Sequence, residues 1–65
     1  MPKAKRVYKR LLVLGWKLER QRGSHKILKK GTYTLVFAYH DSVDLGSIQL
    51  SQIAKQAGCS LEDLL

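Results

Sequence analysis

Residues 20–30 read RQRGSHKILKK and set one histidine, His25, directly after a Gly-Ser pair and among five cations. Histidine, with an ordinary pKa of about 6.5, can trade a proton near neutral pH. Beside Arg22, Lys26 and Lys29 it could take the proton of a ribose 2′-hydroxyl while the cations stabilise a pentacovalent phosphate. That combination would cleave RNA without a metal. The same residues would serve as well for a passive contact to phosphate or sugar. Residue types alone leave both readings open.

The other chemistry-bearing side chains narrow the field. His40 could protonate a leaving 5′-oxygen, although a structural loop role suits it better. Ser24 fits a turn residue whose hydroxyl bonds local backbone more readily than a substrate contact. Asp41 and Asp44 are too few and too loosely spaced for a Mg²⁺ site, and no Cys/His cluster exists, so neither a metal nor any other cofactor is expected. Cys59 is the only cysteine, with no disulfide partner and no zinc-ligand spacing around it. A reducing, cytoplasmic home is therefore expected. The longest apolar run, residues 11–14, is far too short to span a bilayer or to form a signal-peptide core.

Length and charge point to a polymeric partner. The chain has 65 residues and a net charge of +7, which predicts a single domain over residues 1–65. A chain this short buries only about 60% of its unfolded surface, so any site must be shallow and assembled at the surface. Residues 1–31 carry eleven of the twelve Lys and Arg against one acid, Glu19, a balance of +10. Residues 32–65 balance at −3. That asymmetry exceeds what solubility requires and favours a polyanion, foremost a nucleic acid. A membrane surface fits less well, because the basic helix needs its apolar face for the core.

These residues must be positioned by few elements. Pro2 suits a first helical position, and Ala4, Val7, Tyr8, Leu11 and Leu12 follow a helical apolar stripe. Lys3, Lys5, Arg6, Lys9 and Arg10 fall on the opposite half, and Gly15 ends the helix. The period then becomes two. Trp16, Leu18 and Arg20 alternate with Lys17, Glu19 and Gln21, which predicts a strand with one buried face. Residues 22–24 form a turn and residues 25–30 a second strand. Lys30-Gly31 makes a tight hairpin into a third strand over residues 32–39. A polar loop runs from His40 to about Ser47. A second helix turns Leu50, Ile53, Ala54 and Ala57 inward and stops at Gly58. Ser60 to Asp63 then resemble a capping box that starts one last turn. The class is α+β in the order α-β-β-β-α, with a three-stranded antiparallel sheet and helices on one face. Trp16, Tyr33, Phe37 and Tyr39 could stack on bases, but alternation along strands marks most of them as core.

In this order the motifs resemble the HicA toxins. The residues concerned are a basic helix ending in Leu14-Gly15-Trp16, Gly23-Ser24-His25 on the second strand, and His40 after the third. The closing segment runs from Leu50 through Ile53, Gln56-Ala57-Gly58, Ser60 and Glu62 to Leu64. The resemblance covers nearly the whole chain. It departs at Ala38, where the family has proline, and at Ile48-Gln49-Leu50, where it has Gly-Thr-Leu. It implies a fold like the double-stranded-RNA-binding domain, an endoribonuclease that cleaves messenger RNA, and a HicB antitoxin partner covering the active surface. It places the catalytic histidine at His25, with His40 a possible helper. The RNA-binding set is then Lys5, Arg6, Lys9, Arg10, Arg22, Ser24, Lys26, Lys29 and Lys30. A non-catalytic RNA-binding module of the same fold remains the alternative.

Overall fold

The change of period at Gly15 is where the first helix gives way to a sheet. A computed structural model describes residues 1–65. The elements are α1 (Ala4–Val13), β1 (Lys17–Arg22), β2 (His25–Lys30), β3 (Tyr33–Ala38), α2 (Ser47–Ala57) and α3 (Leu61–Leu64). Ala4, Val7 and Leu11 bury one stripe of α1 completely. The helix closes as a Schellman motif. Trp16 N–H donates to the Leu11 carbonyl at 3.0 Å and Gly15 N–H to that of Leu12 at 3.1 Å. Gly15 takes φ +103°, a conformation that other side chains rarely tolerate. Trp16 leaves this cap pointing into the core, 3% exposed.

The start of α1 differs from the sequence expectation. Pro2 lies outside the helix, and Lys3 is an extended N-cap with no side-chain cap of its own. The Lys3 backbone pairs with Asp44 in an isolated bridge. The first free N–H groups of the helix go to the loop after β3 instead. Ala4 N–H donates to the Val43 carbonyl at 2.8 Å and Lys5 N–H to that of Asp41 at 3.1 Å.

The sheet is an antiparallel meander in the order β1-β2-β3. Gly23-Ser24 and Gly31-Thr32 connect the strands. Leu28, Leu35 and Phe37 point to the helices and are at most 1% exposed. They meet Ala4, Val7 and Leu11 from α1, Leu50, Ile53 and Ala54 from α2, and Leu45 and Leu64. The opposite face is open, with Ile27 half-buried and Val36 exposed. This is the α+β arrangement that the sequence predicted, with helices against one face of a three-stranded sheet.

Three expectations about burial fail for geometric reasons. β1 is exposed along its whole length, Leu18 included. It is an edge strand whose ladder shifts by one residue between Leu18 and Arg20. Leu12 is exposed because it sits about 100° around the helix from Leu11, past the edge of the stripe. Tyr33 is 71% exposed, at the end of β3 beside the hairpin.

Leu28, at the centre of β2, is fully buried in this core. Replacing Leu28 by Ala should cost about 2–5 kcal/mol, the usual worth of a fully buried leucine. Urea unfolding followed by circular dichroism would measure it, and a loss below about 1 kcal/mol would mean the one-sided core is described wrongly.

Candidate nucleic-acid interface

Paired residues on antiparallel strands present their side chains to the same face. His25 pairs with Arg22 on one side and Ala38 on the other, Ile27 pairs with Arg20 and Val36, and Lys29 with Lys17 and Thr34. Leu28 and Lys26 mark the covered face, so the open face carries His25, Lys17, Arg20, Arg22 and Lys29. The irregularity at Glu19 makes this possible. A regular strand would put Arg20 beside Leu18, whereas the bulge moves Arg20 and Arg22 to the face of His25. His25, Arg20, Arg22 and Ile27 line one shallow cleft of about 250 Å³. Neither arginine is held in an ion pair, while Lys29 lies 3.9 Å from Glu19. Small Ala38 beside His25 leaves the imidazole exposed to incoming ligands.

Lys26 turns to the other side. It is only 7% exposed. Its Nζ lies 3.6 Å from Asp41 Oδ1 and 5.1 Å from the centre of the Tyr8 ring. Cation–π attraction and the carboxylate together compensate a charge taken out of water. Tyr8 in turn packs against Phe37, and Phe37 against Tyr39, which tie this spot to the core. Lys26, Ser24, His40, Asp41 and Ser42 line a second cleft of about 400 Å³ with no apolar side chain. The two histidines therefore occupy different clefts, on opposite sides of the β1–β2 turn. Gln21 holds that turn by donating from Nε2 to the Gly23 carbonyl at 2.8 Å.

The remaining cations are spread further. Lys5 and Lys9 project from the outer face of α1. Arg6 and Arg10 share that face but each donates to a main-chain oxygen, Arg6 to Leu65 at 2.7 Å and Arg10 to Asp63 at 3.0 Å. Each guanidinium keeps further N–H groups free for a ligand. Lys30 points to the helix side and lines a cleft at the far end of the sheet with Tyr33 and Lys55. The structure thus brings Arg22 to His25, places Lys29 on the same face but outside that cleft, brings Ser24 and Lys26 to His40, and leaves the α1 cations and Lys30 apart from both. Lys17 and Arg20 were missed by sequence reasoning. Their cross-strand partners follow from a bulge that no glycine announces.

No group of three or more His, Cys, Asp or Glu side chains converges in a way that could hold a metal. No helix is long and apolar enough to cross a membrane. Cys59 is half-buried against the core, and burial pushes its thiol pKa up, helped by Asp63 and opposed by Lys30.

The burial of Lys26 separates its stem from its charge. Lys26→Met keeps an unbranched apolar stem, and the Asp41 carboxylate it strands is well hydrated. Its stability should stay within about 1 kcal/mol of wild type. Lys26→Ala also removes the stem and should cost about 1–3 kcal/mol. Thermal or urea melts of the two variants decide this, and equal losses in both would show that the charge dominates.

The family model described as HicA toxin of bacterial toxin-antitoxin matches residues 4–59, from the start of α1 to just past α2. No curated protein gives a significant match. The matched span includes both strands that carry His25 and its arginines, as well as the loop bearing His40 and Asp41. The chain belongs to the HicA toxin family, as a toxin of a toxin–antitoxin system whose implied partner is an antitoxin.

Proposed function

We propose that the chain is a metal-independent endoribonuclease that cleaves messenger RNA, with His25 as its catalytic residue. The observation that carries this is the cleft on the open face. It holds one imidazole cross-strand from Arg22 and beside Arg20, with neither arginine held in an ion pair. In this reading His25 accepts the proton of the 2′-hydroxyl, and the 2′-oxygen attacks the adjacent phosphorus as the bond to the 5′-oxygen breaks, leaving a 2′,3′-cyclic phosphate. Arg20 and Arg22 stabilise the extra negative charge of the pentacovalent phosphate. His40 lines another cleft, so water is the simplest acid for the leaving 5′-oxygen. Lys17 and Lys29 extend the phosphate track along the open face, and Lys5 and Lys9 extend it on α1. The reading also takes the antitoxin to be HicB-like and acidic, lying over α1 and residues 23–30 and excluding RNA by competition in the cytoplasm.

His25 is exposed and its side chain supports no core contact, so His25→Ala should fold normally and bind RNA with near wild-type affinity. Its cleavage rate should fall by about 10²–10⁴, the usual worth of a general acid or base. Purified wild type should cut RNA equally with and without EDTA. Intact RNA at high wild-type concentration would support the non-catalytic RNA-binding module instead. A His25→Ala protein that cuts like wild type would place the chemistry elsewhere.

Binding itself should be dominated by phosphate. For about five contacts to single-stranded RNA, log K should fall with log salt at a slope of roughly −3.5. Single-stranded DNA of the same length should compete, since phosphate contacts ignore the sugar, yet it should remain uncut because it lacks the attacking 2′-hydroxyl. A slope near zero in a fluorescence titration would remove the electrostatic argument.

A further inference from the structure

We propose that the cleft on the far side of the β1–β2 turn from His25 is a nucleobase-reading pocket, and that the base it takes is guanine. The inference rests on the ribonuclease reading for its substrate class, and it names the part of the RNA that the second cleft would hold.

The pocket's electrostatics separate it from the open face. Arg20, Arg22 and Lys17 have no acid partner, as suits phosphate. Here the one buried cation, Lys26, is already matched by Asp41 at 3.6 Å. A phosphate would be repelled by that carboxylate. A neutral group offering both donors and acceptors would not. The lining supplies hydroxyls from Ser24 and Ser42, a carboxylate, an ammonium and an imidazole, with no apolar side chain. Its volume of about 400 Å³ lies within the roughly 300–1,000 Å³ typical of small-molecule sites.

The pocket is also held in place. The Asp41 carbonyl accepts from Lys5 N–H at 3.1 Å, the His40 carbonyl from Val43 N–H at 3.1 Å, and Val43's from Ala4 N–H at 2.8 Å. The segment carrying His40 and Asp41 is therefore docked on the start of α1, and the opposite wall is fixed by the Gln21–Gly23 hydrogen bond. Sequence-specific RNA recognition splays single-stranded bases onto aromatic rings, histidine included, and reads their edges. His40 is exposed and can supply the stacking ring. Asp41 accepts only, and guanine is the base whose Watson–Crick edge offers a carboxylate two adjacent donors, N1–H and N2–H. The neighbouring O6 then falls to the Lys26 ammonium. A strand crossing the turn would leave a phosphodiester at His25 and a base in this pocket.

The test is binding by the His25→Ala protein, so that no substrate is consumed. Labelled oligouridine probes carrying one central guanosine, adenosine or cytidine are titrated by fluorescence anisotropy. The guanosine probe should bind about tenfold tighter, the order of one good bidentate base contact. Adding Asp41→Asn should abolish that preference while affinity for plain oligouridine holds or rises, since the change removes a negative charge and leaves Lys26 unmatched. Lys26→Met is the second variant and should weaken the preference without moving the salt slope; circular dichroism verifies the fold of both. Equal affinity for all probes overturns the pocket, as does a guanosine preference that survives Asp41→Asn. A preference seen in a protein whose His25 form never cuts RNA supports the pocket and sinks the ribonuclease. Cutting without any preference in binding sinks the pocket alone.

Discussion

A three-stranded sheet in a chain of 65 residues can be covered on one face only, and that constraint organises everything else. The helices and Trp16 supply enough apolar surface to bury Leu28, Leu35 and Phe37 from one side. Nothing remains to cover Ile27 and Val36 on the other. A face that must stay hydrated is where a small domain can carry unpaired cations without burying charge. The positive residues of β1 and, from β2, Lys29 lie there, and the one imidazole among them stays exposed. The site is shallow because the core is one-sided.

The second organising feature is an absence at the start of α1. Lys3 offers no capping side chain, so the first N–H groups of the helix are satisfied by carbonyls of Asp41 and Val43. Capping is usually a local matter between a residue and the next turn. Here it is tertiary, and it fastens the loop after β3 to the first helix. Lys26 reinforces the same joint from the strand side, its ammonium between the Tyr8 ring and Asp41. A residue that would ordinarily be another surface cation is thereby turned into a link between β2, α1 and the loop. The proposed base pocket is the polar space left open at this joint.

The bulge in β1 links the fold to the charge pattern. One extra residue at an edge strand costs little, since no neighbour lies beyond it to lose hydrogen bonds. Its effect on chemistry is larger than its effect on stability. It turns Arg20 and Arg22 to the side of His25 and leaves Glu19 near Lys29. The same local twist makes the edge less regular and less inviting to unwanted strand pairing. For a toxin that must coexist with an antitoxin, the exposed cations that would hold RNA are also those an acidic partner would most simply cover.

Much of this was legible in the residues themselves. Apolar spacing placed α1 and α2, the period change at Gly15 placed the sheet, and Ser60 to Asp63 read as the capping box that the structure contains, with Ser60 N–H donating to Asp63 Oδ2 and Asp63 N–H to Ser60 Oγ. These are local matters, settled by neighbours a few positions apart. Arg22, read from the sequence as part of the turn, is instead the last residue of β1 and the partner of His25, because the turn is the two residues Gly23-Ser24. What tertiary structure decided were the outcomes that depend on distant groups. Arg20 reached the open face through a shift in pairing with β2. Lys26 was buried because Tyr8 and Asp41, far apart in the chain, meet over it. His40 was parted from His25 because the loop is drawn to the helix start and not to the open face. Local spacing can say which residues lie on one strand, but only the packed chain says which face the strand turns outward and what waits there.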